Sequence, residues 1–97
     1  MPVVLRGTDA AGRDFFERAE VVSIDQRGGR ARTRFFLRVG EEVTLQVPEE
    51  EKAKRMRVVW RGEPGDFYEG LIGLEFVEAE ESWNLESLRV RWESEKF

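Results

Sequence analysis

From Pro2 to Val77 the sequence is cut at short intervals by glycine-bearing turns, and between the turns apolar and polar residues alternate one by one. Period two is the mark of a strand with one face buried. Short strands separated by frequent turns build antiparallel sheets that close on themselves or stack. The runs are Pro2 to Arg6, Asp14 to Ile24, Arg30 to Phe36, Glu42 to Val47, Lys52 to Arg61 and Phe67 to Val77. Turns fall at Gly7 to Gly12, Asp25 to Gly29, Val39-Gly40, Pro48 to Glu51 and Gly62 to Gly65. Phe16, Val22 and Ile24 form one alternating set, as do Val43, Leu45 and Val47. In the fifth run Met56, Val58 and Trp60 are expected inside, with Arg55, Arg57 and Arg61 in solvent, and Ile72, Leu74 and Phe76 share a face of the sixth.

After Glu78 the period lengthens. Leu85, Leu88 and Trp92 lie at i, i+3 and i+7, the spacing of an amphipathic helix, and Ser82 or Asn84 suits its start. With 97 residues there is room for one core. The expectation is a single mainly β domain over residues 1–97. It comprises a small six-stranded antiparallel barrel over about 2–78 and one C-terminal α-helix over about 82–95.

The residue inventory narrows the function. The chain has no Cys and no His. That removes disulfides, thiol nucleophiles, Ser-His-Asp triads, histidine bases and His/Cys zinc sites, and points away from an enzyme. No catalytic residue, metal site or cofactor is expected. No apolar run approaches the roughly 18 residues of a membrane span, and Met1 to Arg6 lacks the apolar core of a signal peptide, so a cytoplasmic protein without membrane insertion is expected.

The net charge of −4 is unevenly spread: residues 1–38 hold eight arginines against five acids, and the remainder is acidic. The overall sign argues against a general nucleic-acid binder, so no DNA partner is expected, and no aromatics interleave the arginine face as in RNA-binding barrels. The N-terminal half retains enough positive charge for one anionic ligand.

Three groups of residues stand out. Ser23, Asp25, Arg27, Gly28 and Gly29 bring a hydroxyl, a carboxylate and glycine amides to one tight turn at a strand end. A carboxylate can accept from the N1–H and amino group of guanine, and free amides can hold phosphate oxygens. The plain reading is a turn in which Asp25 bonds its own backbone. Arg27, Arg30, Arg32, Arg34 and Arg38 form the second group, with Arg30, Arg32 and Arg34 expected on one strand face. A guanidinium can fork onto guanine or phosphate, or the arginines can simply be a solvated face that discourages edge pairing. Trp60, Trp83 and Trp92 form the third group, with Trp60 and Trp83 expected in the core by default.

The order of these pieces resembles the PilZ domain, a small bacterial β-barrel family known for binding cyclic di-GMP. The resemblance runs from about Pro2 to Leu88, through Gly7-Thr-Asp-Ala-Ala-Gly-Arg13, Val22-Ser-Ile-Asp-Gln-Arg-Gly-Gly-Arg-Ala31, Leu37 to Leu45, Val58-Val-Trp60 and Gly73-Leu-Glu-Phe76. The family's Asp/Asn-x-Ser-x-x-Gly motif falls on Ser23, Asp25 and Gly28. Gly28 matches, whereas Ser23 stands for the family's Asp or Asn and Asp25 for its Ser. The family's arginine pair, four apart before the first strand, has no counterpart, since only Met1 precedes Pro2. Either the pair belongs to chain outside this sequence or the member is degenerate. Each lost arginine contact removes a charge-assisted bond of about 1.5–3 kcal/mol.

The resemblance therefore implies a regulatory domain with weak or lost cyclic di-GMP binding in bacterial signal transduction. Any residual site would be made by Ser23, Asp25, Arg27, Gly28, Gly29 and Arg30. The alternative is a nucleotide-independent protein–protein interaction module that uses Trp83, the helix and the arginine face.

Overall fold

The computed structural model describes residues 1–84. Alternation places the core. Along β1 (Pro2–Thr8) Val3 and Leu5 turn inward, and along β2 (Asp14–Ile24) Phe15, Glu17, Ala19 and Val21 do. β3 (Gly28–Arg32), β4 (Glu42–Gln46), β5 (Lys54–Arg61) and β6 (Leu71–Phe76) follow the same rule, contributing Ala31, Val43, Leu45, Met56, Val58, Ile72 and Leu74. All six strands pair antiparallel into a closed barrel of order β1-β2-β3-β6-β5-β4, with β4 returning to β1 through Val4 to Arg6. Leu5, Ala31, Leu45, Met56 and Val58 are wholly buried at its centre.

Four sequence expectations shift. Phe16, Val22 and Ile24 are exposed, because β2 turns Phe15 and Val21 inward; the Phe16 ring lies under the Arg6 guanidinium at 5.2 Å. β3 begins at Gly28 and ends at Arg32, earlier than the expected Arg30 to Phe36. Gly28 and Gly29 belong to the ladder opposite Glu75 and Leu74 because backbone passes where side chains would sit: a Cβ on Gly28 would strike the Leu74 carbonyl, and one on Gly29 the Ser23 carbonyl. Beyond Arg32 the Thr33 amide still donates to the Gly70 carbonyl (2.9 Å), but the next two donors go to side chains. Arg34 N donates to Glu17 Oε2 (2.8 Å) and Phe35 N to Thr33 Oγ1 (3.1 Å), so the strand stops and Arg34 leaves the face of Arg30 and Arg32. β6 starts at Leu71 instead of Phe67, since Asp66 binds the Tyr68 amide and folds residues 66–70 into turns.

The fourth shift matters most. β5 carries a bulge between Val58 and Trp60, so two residues face one on β6. The register change carries Trp60 out of the row of Met56 and Val58. It is half-buried on the outer surface opposite Gly73, and Arg61 folds over the Phe36 ring at 3.9 Å. Arg55 and Arg57 are exposed as expected.

Among the described residues there is no helix, and none long and apolar enough to cross a membrane. The expected helix positions Leu85, Leu88 and Trp92 lie outside the described residues. Trp83 is buried: its Nε1 donates to the Gly28 carbonyl (2.8 Å) and its ring meets Phe76 edge-on at 5.2 Å.

Candidate functional site

The bulge and two glycines open a cleft on the outer face of β3, β6 and β5. Arg30 pairs with Gly73, and Gly73 with Trp60, so one cross-strand row has a cation and an indole on either side of a residue without a side chain. The Arg30 guanidinium crosses that gap and lies 5.4 Å from the Trp60 ring centroid. A Cβ on Gly73 would come to 3.3 Å from the Trp60 Cβ, so the bare backbone is what lets the indole lie across β6. The resulting cleft has a volume of about 560 Å³ and is walled by Asp25, Arg27, Gly29, Arg30, Trp60 and Glu75, among others. That volume falls within the usual range for small-molecule sites.

The β2–β3 turn forms one rim. Asp25 Oδ1 accepts from the amides of Arg27 (2.8 Å) and Gly28 (2.9 Å), while the Asp25 amide donates to the Gly28 carbonyl (2.9 Å). The plain reading of Asp25 as a residue bonding its own backbone therefore describes one carboxylate oxygen. The Gly28 amide is consumed by the same turn and is not open to a phosphate. The Gly28 carbonyl also receives the Trp83 indole, which ties the turn to the chain after β6.

Four of the six residues singled out in the sequence thus line one cleft: Asp25, Arg27, Gly29 and Arg30. Ser23 pairs with Arg30 in the ladder and Gly28 is buried beneath the turn; neither lines the cleft. Gly73 and Glu75 are not among the sequence candidates, and Trp60 stands out there only as an expected core residue. A bulge leaves no mark in a period-two count, so Trp60 reads as core. The glycine at 73 within a strand was the available sign of a close approach.

Arg27 and Arg30 make no ion pair among the described residues, yet Asp25 and Glu75 share their cleft. Two guanidiniums against two carboxylates give little net pull on an anion. The planar donors and the indole face can still hold a flat heterocycle by stacking and forked hydrogen bonds. Among the described residues no group of His, Cys, Asp or Glu could hold a metal ion.

Comparison with family models, with curated proteins and with solved structures finds no match to this chain.

Proposed function

We propose that this barrel is a PilZ-type regulatory domain, not an enzyme, whose outer cleft takes cyclic di-GMP weakly. The observation that carries the reading is the convergence of Asp25, Arg27, Arg30 and Trp60 on one cleft beside the glycine turn. The antiparallel six-stranded barrel and the position of the turn between β2 and β3 support it. In this reading a guanine lies against the Trp60 face, Arg30 forks onto its O6 and N7 or onto a phosphate, and Asp25 accepts from its N1–H through the oxygen the turn leaves over.

Weakness follows from the same geometry. The turn amides are already bonded, and Glu75 and Asp25 oppose phosphate charge. The Arg27 and Gly28 amides, spent on Asp25, are two phosphate contacts the turn cannot make, and at about 2 kcal/mol each their loss corresponds to roughly a thousandfold in affinity. Calorimetry at low salt should give a dissociation constant above about 10 μM, weakened further by Arg30→Ala. Sub-micromolar binding refutes the degenerate site. Binding indifferent to simultaneous replacement of Asp25, Arg27 and Arg30 refutes the cleft.

The second reading, a nucleotide-independent interaction module, loses one of its supposed contacts because Trp83 is buried against Phe76 and Gly28. A different surface favours it.

A further inference from the structure

That surface is the β5–β6 loop, residues 62–70. Phe67 is 92% exposed, the most exposed of the large hydrophobic side chains among the described residues. It stands on a fixed support. Asp66 accepts from the Glu63 amide through Oδ2 (3.1 Å) and from the Tyr68 amide through Oδ1 (2.7 Å), and Gly62 N and Leu71 N close the loop base onto Leu71 O and Tyr68 O. Tyr68 meets Phe67 edge-on at 5.2 Å and Trp60 edge-on at 5.7 Å. A rigid loop that holds a phenyl ring in water has already lost the conformational freedom that binding usually removes.

The charge around the ring selects the partner. The loop holds Glu63, Asp66 and Glu69 and no basic residue. Glu63 faces Arg61 at 3.5 Å, whereas Glu69 makes no ion pair among the described residues. Three other outward aromatic rings supply the pattern, with Phe16 under Arg6, Trp60 under Arg30 and Phe36 under Arg61, while exposed Tyr68 is instead packed edge-on between Phe67 and Trp60. Among the described residues Phe67 has no such cation over it. We propose that the loop is a docking site for a basic segment of a partner protein, with an arginine or lysine over the Phe67 face and a second cation at Glu69. Anionic lipid and nucleic acid are the wrong sign for three clustered carboxylates. The assignment stands whether or not the cleft binds a nucleotide.

The test is fluorescence anisotropy at low salt with a labelled octapeptide of alternating Arg and Gly, against its Glu-Gly counterpart. The Arg peptide should bind and the Glu peptide should not. Phe67→Ala should weaken binding roughly tenfold, Phe67→Tyr should restore it, and Glu69→Gln should weaken it severalfold. Glu51→Gln and Glu80→Gln, exposed acids elsewhere, should leave it unchanged. Phe67→Ala removes an exposed ring, so thermal unfolding close to that of the parent chain verifies that the variant is folded. No binding of the Arg peptide at millimolar concentration overturns the assignment. So does binding that is indifferent to Phe67, or equally sensitive to Glu51 and Glu80. Phe67-dependent sedimentation of the chain with phosphatidylglycerol vesicles would show that the ring serves a membrane and overturn it too.

Discussion

Replacing Glu17 by Leu should destabilise the barrel even though it adds apolar surface to an interior position. Glu17 is 3% exposed on the inward face of β2, where β3 has stopped and residues 33–37 cover the gap. Its carboxylate accepts from the Thr33 hydroxyl (2.5 Å) and the Arg34 amide (2.8 Å), with the Arg34 guanidinium adding a longer contact at 3.3 Å. The arginine side chain is largely in solvent, so that third contact contributes little. Leucine strands two donors, each costing about 1–3 kcal/mol, and recovers about 1.5 kcal/mol or less by apolar burial. The net loss should be near 3 kcal/mol, a fall in melting temperature of roughly 15 °C for a domain of this length. Glu17→Gln should cost less, because its oxygen can stay on the Arg34 amide while its NH2 turns to the Thr33 hydroxyl. Thermal and urea unfolding of the three proteins give the order wild type, Gln, Leu. A Leu variant as stable as the parent would mean that the carboxylate is not the group that closes the gap.

Three further outcomes follow from the same geometry. Trp83→Phe removes the indole bond to Gly28 but leaves that carbonyl bonded to the Asp25 amide, so denaturant unfolding should report a loss of only about 1–2 kcal/mol. Gly73→Val should displace the Trp60 ring from Arg30, moving the Trp60 indole N–H resonance while that of Trp83 stays in place. The hydrogen bond from Arg55 holds the Glu42 carboxyl below its ordinary range, with the charges of Arg55 and Arg57 adding to it and desolvation opposing. A lowered native pKa contributes stability above the unfolded value that is lost as pH falls through the native one; both side chains are exposed, so the effect on folding is small. Carboxyl NMR should find the Glu42 midpoint depressed and Arg55→Ala should return it upward.

The strands were legible because alternation and glycine turns act locally: the six runs and their order are the six strands of the barrel. What could not be read depended on partners distant in sequence. Trp60 sits on the inside count of its strand and is moved outward by a bulge that only pairing with β6 reveals. Phe15 and Phe16 are chemically alike, and the choice between them is made by the stack of Phe15 on Phe35 at 4.7 Å. The alternation of Thr33 to Phe36 suggests a longer β3, but the amides of Arg34 and Phe35 turn to Glu17 and Thr33. The candidate site was half legible. A turn rich in Asp, Arg and Gly announces itself, but the indole that faces it comes from a strand thirty residues away, and nothing in the turn points to it.

The measurement that bears most directly on the account is a titration of the isotope-labelled chain with cyclic di-GMP, followed by amide and indole N–H shifts. Fast-exchange shifts are expected with a midpoint above about 10 μM, concentrated at residues 25–30, at residues 73–75 and at the Trp60 indole, and lost in Arg30→Ala. Shifts centred on the opposite wall of the barrel, around Thr8, Asp14 and Thr44, or no shift at all at millimolar nucleotide, would contradict it.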